Sequence, residues 1–231
     1  AKFEIYITPA LKFVLAFTAM LLVKQNVGYY GRFGSVAIIL IIALMCAFLQ
    51  YNFIIFMAAV YTLLHLYRLS FEVAIVAICV FLLLFLLYFR FSPKDTIVVI
   101  LTPICFMLRI PYVMPLAMGL IGTPASIISV CCGTVVYYLL DFISTNDSAI
   151  VLMDADGSLT KFRYVVDGLM NNKTMLAMLL AVAVTITVVY LIRRLSVDHA
   201  WTIAIVTGAL MNIVLLLLGD LVYDTNISIL G

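Results

Sequence analysis

Long apolar runs broken by brief polar clusters set the pattern of this chain, and the runs fall into two length classes. A helix crossing a hydrocarbon core of about 30 Å needs roughly 20 apolar residues, with about 17 as the lower end. Five runs reach that size once their flanks are included: Pro9–Val23, Phe71–Phe89, Pro124–Phe142, Thr174–Ile192 and Trp201–Val222. Four others are shorter and come in pairs. Val36–Leu49 and Phe53–Leu66 are separated only by Gln50-Tyr51-Asn52, and Thr96–Leu108 and Tyr112–Ile121 only by Arg109-Ile110-Pro111. An arm the length of Val36–Leu49 covers about 21 Å as a helix, less than the core thickness. Each pair therefore predicts a helical hairpin with short arms, either re-entrant or spanning a thinned bilayer. The expected fold class is an all-α polytopic integral membrane protein with five long transmembrane helices and two short-armed hairpins.

Each hairpin is followed by one long run, and the two three-segment units resemble one another. A shift of 59 aligns Ile41–Val60 with Ile100–Gly119 and pairs Cys46 with Cys105 and Leu49 with Leu108. A shift of 53 aligns Ser70–Phe89 with Thr123–Phe142 and pairs Cys79 with Cys132 and Phe89 with Phe142. Nine of forty aligned positions are identical, which suggests an internal repeat in a composition this biased. The organisation expected is an N-terminal helix and loop (1–35), a first unit (36–90), a second unit (91–143), an extracytoplasmic segment (144–172) and a C-terminal helix pair (173–231).

Composition strengthens the membrane reading. Hydrophobic residues make up 67% of the 231 and charged residues 10%, where a soluble domain carries about 25% charged. The mean hydropathy is +1.27. The net charge of +2 comes from Lys and Arg scattered over short loops, which argues against nucleic acid as a partner. Basic residues near span ends orient the chain. Arg90 with Lys94, and the pair Arg193-Arg194, mark two cytoplasmic loops, so the N-terminus is expected inside and the C-terminus outside, while Lys24, Arg32 and Arg68 run against the rule. That orientation makes the repeat inverted in topology. The expected location is the membrane itself, of the bacterial cytoplasmic type. The N-terminal residues lack the basic, apolar and small-residue sequence of a cleaved signal, so the first run is expected to be retained. All five cysteines, Cys46, Cys79, Cys105, Cys131 and Cys132, lie in apolar runs without metal-site spacing and read as small reduced hydrophobes.

The segment 144–172 is the one sizeable extramembrane stretch. Ile150–Met153, Asp154-Ala155-Asp156-Gly157 and Leu159–Val166 predict strand, tight turn and strand, because Asp-Gly supplies the positive φ that hairpin turns require. The same string is half of a calcium loop, but Val165 stands where the bidentate Glu belongs, so turn chemistry is the better reading.

Arg109 carries the sharpest chemical signal, being almost alone among apolar residues from Thr96 to Leu140, where a charge is costly to retain. Gln50 occupies the matching place in the first hairpin, with Asn52 and Pro111 each two residues further on. Interrupted membrane helices expose backbone groups and helix ends that bind substrates and ions, and an arginine fork suits carboxylate or phosphate. The candidate substrate-binding set is Gln50, Asn52, Thr102, Arg109, Pro111 and Thr123, the two threonines being included because Thr102-Pro103 and Thr123-Pro124 interrupt the second unit. The plainer reading makes both tripeptides interfacial turns, with Arg109 snorkelling to headgroups. Glu72 with His65 could relay protons, or sit at an interface where water reaches; Asp141 and Asp220 fall at span ends, and Asn212 suits an interhelical hydrogen bond as well as a ligand.

No HExxH, GxSxG or Walker pattern is present, so neither an enzymatic role nor a cofactor is expected. Two functions remain in competition. One is a transport protein or the membrane subunit of a transporter, with an anion-suited polar site at the hairpin tips. The other is a non-catalytic scaffold or assembly subunit of a secretion or envelope complex. Partners expected on either account are the lipid bilayer, further copies or other subunits packed through the small residues Gly119, Gly122, Ser126, Ser129 and Gly133, and an extracytoplasmic protein at 144–172.

Overall fold

The computed structural model describes residues 4–29, 35–153, 158–196 and 198–223, and among these every regular element is a helix and no strand occurs. The helices are α1 (Glu4–Val27), α2 (Val36–Phe48), α3 (Tyr51–Leu69), α4 (Phe71–Phe91), α5 (Thr96–Met107), α6 (Val113–Ile121), α7 (Ser126–Thr145), α8 (Asp147–Leu152), α9 (Ser158–Met170), α10 (Lys173–Arg193) and α11 (Ala200–Tyr223). Six stretches among the described residues are long and apolar enough to cross a membrane: Tyr6–Val27, Tyr51–Leu69, Phe71–Phe91, Ser126–Thr145, Leu159–Arg193 and Ala200–Val222.

The sixth span corrects the expectation of five. The second arm of the first hairpin is not short: α3 has 19 residues, about 28 Å at about 1.5 Å each. Its polar ends, Tyr51-Asn52 and Tyr67-Arg68, continue the helix instead of ending it, since tyrosine and arginine keep an apolar body in the helix while their tips reach water. The short arms that remain are α2, α5 and α6, with 13, 12 and 9 residues. The two three-segment units therefore agree in their first and third helices and differ in the second, 19 residues against 9.

The expected β-hairpin at 144–172 is also corrected. The first strand falls on α8 and the second on α9. Lys161, Val165 and Leu169 are buried at a spacing of four, one stripe of a helix, where a strand would bury alternate residues. The turn itself, 154–157, lies outside the described residues.

The chain forms two compact units, Ala1–Phe85 with Tyr138–Met170, and Leu86–Tyr137 with Asn171–Gly231. In the first, α1 packs on α2 and α3 through Ala16, Met20, Val23 and Val27, all buried at helical spacing. α2 runs antiparallel to α1. Its last turn is closed by Lys12, whose Nζ donates to the Leu49 carbonyl at 2.8 Å and lies 4.6 Å from the centre of the Tyr51 ring. A cation at a helix C-terminus supplies a donor to an otherwise orphaned carbonyl and complements the helix dipole. At the other end of α1, Tyr29 donates to Asp147 at 3.3 Å and Ser144 to the Asn26 carbonyl at 2.9 Å.

In the second unit α10 is the central element, lying along both α11 and α6. A core of Val98, Cys105, Met114, Val130, Val182 and Ile186 draws on α5, α6, α7 and α10. Two glycines set the closest approaches. A Cβ on Gly119 would stand 2.6 Å from Val189 Cβ, and one on Gly133 would stand 2.6 Å from Thr102 Cβ. The small residues expected to face partner helices are thus used inside the unit: Gly119 against α10, Gly133 against α5, and Ser126 and Ser129, both fully buried, in hydrogen bonds.

Candidate functional site at the α5–α6 tip

Polar contacts hold both ends of the α5–α6 hairpin at one rim of the second unit. Ser126, opening α7, donates to Asp95 Oδ2 at 2.6 Å just before α5 begins, and accepts from the Thr123 backbone N–H at 3.2 Å. Ser92 and Ser129 share a hydrogen bond of 2.5 Å, while Tyr88 donates to the Pro93 carbonyl at 2.9 Å and lies 2.6 Å from Thr96 Oγ1. At the far end of α6, the Leu120 carbonyl accepts from Arg193, whose guanidinium stands 5.8 Å from the Trp201 ring centre. The same rim therefore carries Lys94 and Arg193.

From that rim the hairpin reaches only part way along α10. α6 has 9 residues against 21 in α10, about 14 Å against about 32 Å. Gly119 beside Val189, Leu120 bonded to Arg193, and Met114 in one cluster with Val182 and Ile186 make α6 parallel to α10 along its C-terminal half. The Arg109-Ile110-Pro111 turn thus lies well short of the opposite end of α10.

The backbone at this turn explains how it is built. The Arg109 N–H donates to the Phe106 carbonyl at 3.0 Å and the Ile110 N–H to the Cys105 carbonyl at 2.9 Å, the paired bonds of a Schellman ending, with proline following. The residue after the cap must then be left-handed, and Arg109 has φ 60°. Glycine is the usual choice there, because a Cβ costs roughly 1–2 kcal/mol in that conformation. Arginine stands at this position instead, with its side chain exposed. Pro111 and Tyr112 are half-buried beside it.

The remaining sequence candidates are placed as follows. Thr102 is fully buried, donates to the Val98 carbonyl at 2.7 Å and packs on Gly133, so its hydroxyl is committed within its own helix. Thr123 is exposed at the rim, at the other end of the hairpin from Arg109. Gln50 and Asn52 belong to the first unit, where Gln50 is the exposed residue before α3 and Asn52 is half-buried in its first turn. Sequence reasoning missed Lys12. It reaches the Leu49–Tyr51 turn from 37 residues away, a long-range pairing that no local pattern reveals. Each hairpin tip thus has one basic side chain, Lys12 at the first and Arg109 at the second.

Elsewhere, Glu72 accepts from Ser70 at 2.5 Å and lines an open groove of about 310 Å³ with Phe71, Ile75, Leu159 and Phe162. His65 is fully buried, edge-on to Tyr61 at 4.7 Å between ring centres. No sulfur pairs with another among the five cysteines, and no group of three or more His, Cys, Asp or Glu comes together among the described residues. Comparison with known proteins finds no matching family model, no similar curated protein and no similar solved structure.

Proposed function

We propose that this multi-pass helical protein is a membrane transport protein, or the membrane subunit of a transporter, in which the α5–α6 hairpin is re-entrant and Arg109 at its tip receives an anionic group. One observation carries the reading: an exposed arginine occupies a left-handed turn position that favours glycine, on a hairpin that stops part way along α10. Backbone strain of this kind persists where the side chain has a use. A guanidinium in a low-dielectric setting pairs strongly with carboxylate or phosphate through parallel hydrogen bonds. Pro111 fixes the turn, and the basic rim of Lys94, Arg193 and Arg194 faces the cytoplasm by the charge rule.

The test is uptake into proteoliposomes of a panel of phosphate, acetate, succinate and glutamate. Uptake of at least one anion that falls ten-fold or more in Arg109→Gln, with Thr123→Ala unaffected, supports the proposal. Equal uptake by the parent and Arg109→Gln, or none for any anion, goes against it.

The scaffold reading has its own supporting observation. Leu152, Leu159 and Met170 in α8 and α9 are 80, 78 and 69% exposed, and Leu159 also lines the Glu72 groove, which suits docking of an extracytoplasmic protein. An oligomer would likewise use surfaces other than Gly119, Ser126, Ser129 and Gly133.

A further inference from the structure

Several threonines spend their hydroxyls on the backbone of their own helix. Thr18, Thr62, Thr102, Thr134 and Thr187 each donate to the carbonyl four residues earlier, at 2.7–2.9 Å. Thr185 does not. Its hydroxyl is fully buried and has no hydrogen-bond partner among the described residues, and the same holds for the carboxamide oxygen of Asn212, a residue 3% exposed.

The register of α10 and α11 sets these two residues at one level. A Cβ on Gly208 would stand 2.3 Å from Val189 Cγ2, and one on Gly219 would stand 3.0 Å from Ala177 Cβ, so α10 and α11 run antiparallel with 189 opposite 208 and 177 opposite 219. One turn along the same face from the first contact, 185 stands opposite 212. The next turn sets Ala181 opposite Leu216, both 1% exposed. The seam is apolar and sealed above and below one polar level, which falls near the middle of α10 and beside Met114 of α6 through Val182 and Ile186.

We infer that this level of the α10–α11 seam is a binding site for one water molecule, held between the Thr185 hydroxyl and the Asn212 carboxamide. Water donates to the carboxamide oxygen and accepts from the hydroxyl, so one molecule satisfies both. A desolvated metal ion is excluded by ligand number: it needs about six oxygens, and two side-chain oxygens between unbroken helices cannot supply them. An anion would face a carboxamide oxygen with no charge to offset it. The site does not depend on the transport reading.

The sign of two substitutions tests it. Unfolding of the full chain in mixed detergent micelles is compared for Thr185→Val, Asn212→Leu and the double variant. A bridged pair predicts that each single change lowers the folded-to-unfolded ratio roughly 5- to 30-fold and that the double variant is no worse than the weaker single one. If the two groups are independent and unsatisfied, each substitution raises the ratio, and the inference fails. Radiolytic footprinting in ¹⁸O water separates a water bridge from a direct Thr185–Asn212 bond: label at Val189 and Leu216 that is lost in the double variant supports the water, and no label there in the parent overturns it. A melting temperature that rises with sodium over choline also overturns it, in favour of a cation.

Discussion

At the scale of the residue, Arg109 trades stability for position. Its φ of 60° is a glycine conformation, and the Schellman hydrogen bonds around it involve only the backbone. Arg109→Gly therefore keeps the turn and removes the strain. The expected outcome is a protein more stable by roughly 0.5–1 kcal/mol in reversible unfolding, with anion uptake lost. Arg109→Ala keeps the strain without the charge and gives no such gain. Tyr29 offers a second residue-level check. Burial, and then the neighbouring Asp147 carboxylate, push its phenol up to about 12. The folded state holds that proton more tightly than the unfolded chain, whose tyrosines ionise near pH 10. The associated stability is fully present below pH 10 and is lost as the pH climbs from 10 to 12. The stability gap between the parent and Tyr29→Phe, which includes the lost hydrogen bond to Asp147, should stay constant below pH 10 and change only in that window; a gap that changes between pH 7 and 9 would contradict this. Arg109 was legible in the sequence as an isolated charge before proline, whereas Lys12, Thr185 and Asn212 acquire their roles from partners 27 to 37 residues away, which no local window contains.

At the scale of the element, helix ends proved harder to read than helix existence. The long apolar runs predicted α1, α4, α7, α10 and α11, and the short runs predicted α2, α5 and α6, because run length alone decides these. α3 was underestimated because Tyr51, Asn52, Tyr67 and Arg68 look like boundaries but continue the helix. α9 was misread because Asp156-Gly157 suggested a hairpin turn, while the burial of Lys161, Val165 and Leu169 follows a helical period. The seating of α6 on α10 depends on the missing side chain of Gly119. Gly119→Leu should cost about 1–3 kcal/mol of stability by overpacking Val189. Ile121→Leu, at a position 75% exposed in the last turn of α6 and outside that contact, serves as comparison in the same unfolding assay. Equal losses for both would mean that the α6–α10 contact has no special weight.

At the scale of the whole molecule, the apolar surface agrees with lipid as solvent. Leu44, Leu82, Leu86, Leu180, Leu210 and Leu218 are all exposed on their helices, a distribution that water would penalise and a bilayer accepts. Against that background, the buried polar side chains of the second unit that are not bonded within their own helix fall at two levels: the rim from Ser92 to Arg193, and the mid-helix pair Thr185 and Asn212. Arg109 lies at the tip between arms too short to match α10. The most direct test of the re-entrant tip is labelling of Arg109→Cys with a membrane-impermeant maleimide. It is done in right-side-out and inverted vesicles, in a background without native cysteines, with Lys94→Cys marking the rim. The account predicts that Arg109→Cys reacts only from the side that labels Lys94→Cys, more slowly than that marker, and is protected by the anion found in the uptake panel. Rapid, unprotected labelling from the opposite side would mean that α5 and α6 cross the membrane fully, and would contradict it.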